Sequence, residues 1–148
     1  MHTLQTYIET LIGVIIVFFA PITGMIILVA LSTIIDTGFG CWKANKLGET
    51  ITSKKFRFGL LPKLLSYVGA VMLVYASDVF ILNDLTTMIV SAKFLSTKVI
   101  ALTLLAIEVK SMDESFEAVK GWSFLKRWVR IQTSLDFPKR IAKRSSRN

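Results

Sequence analysis

The sequence is poor in the residues that most catalytic and metal sites require. Its 148 residues include one histidine, His2, and one cysteine, Cys41. One cysteine cannot form a disulfide within the chain, and these two ligands are too few for a zinc site of nitrogen and sulfur donors. A serine or cysteine nucleophile would also lack a rigidly held histidine base. We therefore expect neither an enzyme nor a protein with a metal, a cofactor or a small-molecule substrate.

Charge is absent from a long stretch near the N-terminus. No charged side chain occurs from Leu11 to Ile35, and no lysine or arginine precedes Lys43. This run would form about 37 Å of helix, and about 20 residues suffice to cross a bilayer core. A cleaved signal peptide has a shorter apolar region that follows basic residues. The run therefore predicts a membrane span.

Proline 21 interrupts this uncharged run. Proline removes a backbone donor and disfavours helical geometry in the residue before it. Either one kinked helix crosses the membrane, or a short helix to Ala20 precedes a second helix from Pro21. We favour the break, with the second helix continuing past Asp36 towards Lys46.

Two further apolar segments follow a basic stretch. We interpret residues 43 to 63 as a loop or a surface-lying segment. The next apolar segment runs from Leu64 to Leu82, and a turn is expected at Asn83-Asp84. A third runs from about Thr87 to Val109 and is interrupted by two lysines. With 53% hydrophobic residues and a mean hydropathy of +0.58, the chain is predicted to be an all-α integral membrane protein. We expect three to four hydrophobic helices, all in a domain of residues 1–112.

The net charge of +8 comes from the C-terminal region. Residues 120 to 148 hold nine basic side chains and one acidic one, Asp136, whereas the preceding residues hold nine of each sign. Apolar and aromatic residues recur there every three or four positions, which predicts an amphipathic helix over residues 113–137. Such a helix lies on an anionic lipid surface or packs on the membrane domain. The residues expected at the lipid surface are Trp122, Arg127, Trp128 and Arg130.

Beyond this helix, Pro138 is expected to end the regular structure. Residues 138–148 are then predicted to form a disordered basic tail. A basic tail can bind nucleic acid electrostatically, but no aromatic platform or folded motif accompanies this one. We therefore do not expect nucleic acid to be a partner.

The positions of the basic residues also predict topology, because positive loops stay in the cytoplasm. The 43–63 segment and the C-terminal region should both be cytoplasmic, and the turn over residues 83–92 should lie outside. The side of the N-terminus depends on whether the chain crosses once or twice before Trp42.

Three acidic residues lie near or within the apolar segments: Asp36, Asp78 and Glu108. An acid at membrane depth costs about 2.5–3.5 kcal/mol on insertion scales, so it usually faces protein or water. With Gly38, where helices could approach closely, we predict that these acids line an oligomer seam or a water-filled lesion. The alternative is that they lie at the membrane interface.

Six short motifs occur in a fixed order over roughly residues 11 to 121. The motifs are Pro21 ahead of an apolar run, Asp36-Thr37-Gly38 with Ala44, Ser53 with Phe58-Gly59-Leu60-Leu61-Pro62-Lys63, Asp78, Glu108-Val109-Lys110-Ser111-Met112-Asp113-Glu114-Ser115, and Gly121. In this order they resemble the phage holins related to clostridial toxin-secretion proteins. Two departures from that family are Ser115, where it usually has asparagine, and a tighter spacing in Asp36-Thr37-Gly38.

The resemblance implies a lytic function in the bacterial host. Copies of the chain would accumulate in the cytoplasmic membrane as homo-oligomers and form lesions that release an endolysin or a toxin. Two alternatives belong to other classes. One is a non-lytic anchor or antiholin that recruits a partner through residues 110–148. The other is a small membrane enzyme that uses Asp78 or Glu108 as an acid or base.

Overall fold

The computed structural model describes residues 2–82, 84–85, 88 and 92–145, and every regular element in these residues is helical. We number the α-helices in chain order. They are α1 (His2–Phe19), α2 (Thr23–Lys46), α3 (Ser53–Ser77), α4 (Leu95–Lys120) and α5 (Phe124–Ser145); a 3₁₀ turn (Ala20–Ile22) joins α1 to α2, and a π-helical turn (Asp78–Leu82) extends α3.

Regular α-helix is interrupted near Pro21 by a single 3₁₀ turn over Ala20–Ile22. Phe19 and Thr23, on either side of it, both keep right-handed helical backbone angles. Pro21 occupies the start of the 3₁₀ turn, where a missing N–H costs little. As expected, α2 then continues through Asp36 to Lys46.

Helices α2, α3 and α4 pack into a three-helix bundle. Its apolar core consists of Ile22, Val29, Val71, Tyr75, Ala101 and Leu104. The order of these residues fixes the helix directions, because Ile22 and Tyr75 lie at one end of the core and Leu104 lies nearer the other. Helices α2 and α4 therefore run in the same direction, and α3 runs against them.

Within the described residues, helix α1 contacts the bundle near its C-terminal end. All side chains from His2 to Val17 are exposed, whereas Phe18 meets Tyr75 edge to face with ring centroids 5.3 Å apart, and the Phe18 carbonyl accepts a 2.9 Å hydrogen bond from the Tyr75 hydroxyl. The accessible surface of the chain is 11250 Å². A compact folded monomer of 16.6 kDa would expose about 7,600 Å². Much of the excess is apolar.

The loop within the basic stretch of residues 43 to 63 is shorter than the sequence predicted. Helix α3 begins at Ser53, so the loop between α2 and α3 is confined to residues 47–52. Pro62 lies inside α3 and does not end it, because a proline removes only its own backbone donor. Within the described residues, the third apolar segment forms the helix Leu95–Lys120, which extends beyond the predicted end at Val109. The turn expected at Asn83-Asp84 and the start of this segment fall largely outside the described residues.

The C-terminal region differs from the prediction at both ends. The helix expected over residues 113–137 is divided at Gly121, whose φ of +75° ends α4. The prediction that Pro138 ends the next helix is wrong, because α5 continues to Ser145. Arginine, lysine, isoleucine and alanine follow the proline, and these residues tolerate helix well.

Among the residues that the structure describes, two helical segments are long and apolar enough to cross a membrane. They are His2–Lys46 and Phe56–Leu82. Only 11% and 17% of their most apolar windows are buried within the chain, whereas the core helix of a soluble protein would be mostly buried. Helix α4 does not meet the same criterion within the described residues.

Candidate functional site: a lysine between two buried carboxylates

At one end of the bundle, a lysine bridges two acidic residues from the other two helices. The Lys63 ammonium on α3 donates to Asp36 Oδ2 on α2 and to Glu108 Oε2 on α4, both at 2.7 Å. Glu108 is fully buried, the Asp36 side chain is 10% exposed, and that of Lys63 is 28% exposed. These three residues, which we call the charged triad, join all three helices of the bundle.

The charged triad has more acceptors than donors. Asp36 and Glu108 share one ammonium, and Asp36 Oδ1 and Glu108 Oε1 are buried without a hydrogen-bond partner. Lys63 Nζ also lies 5.9 Å from the centre of the Tyr67 ring, a contact that adds negative potential on the same side. A buried, unpaired acceptor is costly, so the site favours an additional hydrogen-bond donor such as water or a cation.

A cleft opens beside the charged triad at the loop end of the bundle. Its volume is about 400 Å³, and its wall includes Asp36 and Lys63 as well as Lys43, Glu49 and Cys41. The hydroxyl-bearing residues Thr37, Ser111 and Ser115 and the apolar Ile51 and Phe56 complete most of the lining. The cleft is therefore polar at the triad and partly apolar near the 47–52 loop.

Asp78 lies at the opposite end of the bundle and is fully buried. Its Oδ2 accepts hydrogen bonds from the backbone N–H of Thr97 at 2.7 Å and from the Thr97 hydroxyl at 2.6 Å. Thr97 lies in the first turn of α4, where backbone N–H groups have no partner within the helix. Asp78 thus caps α4 from a neighbouring helix, while its Oδ1 remains unpaired.

Gly38 faces away from the charged triad. A Cβ atom added there would meet nothing within 4 Å, so the glycine serves no close helix contact in the described part of one copy. It borders an apolar groove of about 480 Å³ together with Trp42 and Phe116. The rings of Trp42 and Phe116 are 6.0 Å apart, and Phe116 also meets Trp122 edge to face at 4.9 Å.

The corner between α4 and α5 is held by Asp113. Its carboxylate accepts from the Ser123 hydroxyl at 2.5 Å and from the backbone N–H groups of Phe124 and Leu125 at 2.8 and 3.2 Å. Ser123 in turn caps α5 by accepting from Lys126 N–H at 3.0 Å. Burial alone would raise the pKa of Asp113, but these hydrogen bonds outweigh it and hold that pKa below its ordinary value.

The four residues predicted to lie at a lipid surface are all exposed. Trp122 and Trp128 are 43% and 58% exposed, and the Arg127 guanidinium lies 5.4 Å from the Trp122 ring centre. Arg130 is exposed on the same helix. Trp122 belongs to the corner between the helices, and the other three residues belong to α5.

Of the predicted acidic residues, the structure brings Asp36 and Glu108 together and leaves Asp78 apart. Sequence reasoning missed Lys63, which it counted among the charges of a loop. A signal was present, since Lys63, Val71, Tyr75 and Asp78 all fall on one face of α3 at helical spacing. Pro62 lies directly before Lys63, and a proline is unusual inside a helix, so Lys63 was assigned to the preceding loop and not to this face.

These observations define the class of molecule: a small all-helical protein with two segments able to span a membrane and a charged triad inside a three-helix bundle. No family model matches the chain, and the searches of curated proteins and of solved structures found no match. The resemblance to holins therefore rests on the short motifs alone.

Proposed function

We propose that the protein is a holin-like membrane protein that oligomerises in the bacterial cytoplasmic membrane and forms lesions there. The lesions would release an endolysin or a toxin from the cytoplasm of a phage-infected host. In this proposal the chain crosses the membrane several times, and its C-terminus is cytoplasmic.

The observation that carries the proposal is the exposure of α1. The helix presents an almost continuous apolar surface, and Leu11, Val14 and Val17 are 62%, 61% and 72% exposed. An exposed apolar surface of this size needs lipid or other protein to cover it. A helix attached to its own bundle only through its last turn is free to pack against other copies of the chain.

The charged triad supplies the second requirement of a lesion, which is polar surface that can become wet. Within one copy the triad is mostly enclosed by α2, α3 and α4. If these helices separate during assembly, Asp36, Lys63 and Glu108 would exchange their buried ion pairs for water. Buried ion pairs gain little net stability, so opening them to water need not cost much.

The C-terminal helix fits attachment to the cytoplasmic leaflet. Its basic residues would attract anionic lipids, at about 1 kcal/mol for each lysine or arginine near the surface. The aromatic residues Trp122 and Trp128 suit the headgroup region. Because Asp113 fixes the start of α5, the helix would leave the bundle in a defined direction.

The test is controlled expression in a bacterium while the membrane potential and the amount of protein in the membrane are recorded. We expect an abrupt loss of potential after a lag. Sustained growth with an intact potential, at confirmed membrane levels, would contradict the proposal.

A variant of α1 tests the role of that helix. Thr10 and Gly13 border a shallow groove together with Val14, Val17 and Phe18, and a Cβ atom added at Gly13 would meet no described residue within 4 Å. Gly13→Leu should therefore leave the bundle intact and shift the time at which the potential collapses. The matched control is Leu11→Ile, which preserves size and apolarity on the same helix.

The firmly braced corner at Asp113 favours one second candidate. A helix held in a defined direction also suits a non-lytic anchor or antiholin that recruits a partner through α5. This function predicts no loss of potential from the protein alone, and a delay of lysis when it is produced together with a lytic holin.

A further inference from the structure

The cleft beside the charged triad has the size and lining of a binding site for an organic molecule. Its volume of about 400 Å³ falls in the range of ligand pockets, about 300–1,000 Å³, and far exceeds the space of one water molecule. The wall changes from polar at Asp36 to apolar at Ile51 and Phe56.

One residue that lines the cleft, Asp36, has a buried acceptor without a donor. Asp36 lines the cleft, is 8% exposed, and has no hydrogen-bond partner at Oδ1. Its other oxygen is taken by Lys63, which also binds Glu108 behind it. Because two acidic residues share the single ammonium of Lys63, a donor that reaches Asp36 Oδ1 is favoured if it is positively charged.

The remaining charges of the cleft restrict the ligand further. Lys43 and Glu49 lie on the wall, and two of the three ammonium protons of Lys63 are already used on carboxylates. Lys43 is therefore the cation best able to bind an anionic group. A ligand with an ammonium for Asp36 and an anion for Lys43 would match both.

We infer that this cleft binds a primary ammonium group that carries a phosphate a few atoms away, with the ammonium on Asp36 Oδ1 and the phosphate near Lys43. This chemistry is shared by a phosphatidylethanolamine headgroup and by free phosphoethanolamine. The inference does not depend on lesion formation, because it requires only that α2, α3 and α4 pack as described.

The single cysteine provides a direct measurement. Cys41 is half-buried and lines the cleft, so a bound ligand should slow its alkylation by a neutral maleimide. In the full-length protein in detergent, we expect phosphoethanolamine to protect Cys41 best and ethanolamine to protect it more weakly. Ethanol and inorganic phosphate, which lack the ammonium, should not protect it.

Two variants test which residue binds each end of the ligand. Asp36→Asn should weaken protection by both amines about tenfold or more, the usual cost of losing a charged hydrogen-bond partner. Lys43→Gln should reduce protection by phosphoethanolamine to the level of ethanolamine. Glu114→Gln and Lys46→Gln change the same charges at exposed positions outside the cleft and should alter neither.

The source of the ligand is tested in vesicles. Slower alkylation of Cys41 in vesicles with phosphatidylethanolamine than in vesicles of phosphatidylglycerol alone, reversed by Asp36→Asn, would identify the lipid headgroup. Protection by free phosphoethanolamine only would identify a soluble ligand. Equal protection by phosphate and phosphoethanolamine in the unaltered protein, or no protection by either amine, would overturn the inference whatever the variants do.

Discussion

Lys63 and Glu108 are 45 positions apart in the chain, yet the lysine nitrogen lies 2.7 Å from a carboxylate oxygen of the fully buried glutamate. The same nitrogen contacts Asp36 at 2.7 Å. One cation therefore compensates two carboxylates, and its loss should be felt more strongly than the loss of either acid.

The first prediction concerns this lysine. Lys63→Met would leave two buried carboxylates without a cation, so we expect the free energy of unfolding to fall by about 3 kcal/mol. Replacing all three residues with neutral ones, Lys63→Met with Asp36→Asn and Glu108→Gln, should restore most of the loss. Thermal unfolding in detergent measures both. The exposed Lys46→Met is the control, and equal stability of Lys63→Met and Lys46→Met would show that the triad is not coupled as described.

The second prediction concerns the cap on α4. Asp78→Leu removes the acceptor of two hydrogen bonds from Thr97, and losing a helix cap typically costs about 1 kcal/mol. Asp78→Asn should cost less, because its amide oxygen can still accept. Hydrogen exchange at the amide of Thr97 reports the loss directly. Thr103→Val, which removes an exposed hydroxyl of the same helix, should leave that exchange unchanged.

The third prediction concerns the orientation of the chain in the proposed membrane. With Cys41 replaced by serine, a cysteine at Ser53 should be protected from a membrane-impermeant reagent in intact cells. A cysteine at Asp84 should react. The reason is that basic segments are retained in the cytoplasm, and Ser53 begins the helix that carries several of them. Reaction at position 53 without reaction at position 84 would show that the orientation is inverted.

The fourth prediction is a pH dependence at the corner between α4 and α5. Because the pKa of Asp113 is lowered in the folded protein, its ionised form stabilises the corner above the ordinary aspartate pKa, about 3.9. That contribution is lost as the pH falls through the lowered value. Protection factors of the Phe124 and Leu125 amides should therefore decrease on acidification. Asp113→Asn should remove the pH dependence, and Glu114→Gln should retain it.

A fifth prediction separates the C-terminal tail from the bundle. Deleting residues 138–148 removes five basic side chains but no part of α1 to α4. Insertion into the membrane should persist, while the onset of lysis shifts because the attraction to anionic lipid is weaker. A truncated protein that no longer enters the membrane would assign the tail a structural role instead.

The sequence indicated the helical class, the break near Pro21 and the course of α2 to Lys46, because these follow from local patterns of charge and proline. It did not indicate the charged triad. Lys63, Asp36 and Glu108 come from three separate helices, and their contact depends on how the helices are rotated about their axes. Periodicity within α3 hints at this rotation, but the identity of the partner helix depends on packing between distant segments.

The C-terminal region illustrates a different limit. Pro138 is a strong local signal, because a proline inside a helix removes a hydrogen bond and crowds the preceding turn, yet α5 continues past it to Ser145. The division at Gly121 depends on Asp113. The Asp113 carboxylate accepts from the backbone N–H groups at the start of α5, which have no partner within that helix. An acidic residue ten positions away is not recognisable as a helix cap from spacing alone.

The two polar layers of the bundle mark the ends of its apolar interior. Lys63 and Asp78 are separated by about 22 Å along α3 and the turn that extends it, and Thr97 and Glu108 by about 16 Å along α4, whereas the hydrocarbon core of a bilayer is about 30 Å thick. In the membrane that we propose, at least one of the two layers would therefore lie at the depth of the hydrocarbon. Its charges would be separated from lipid only by the packing of α2, α3 and α4, so any loosening of that packing would draw water to membrane depth.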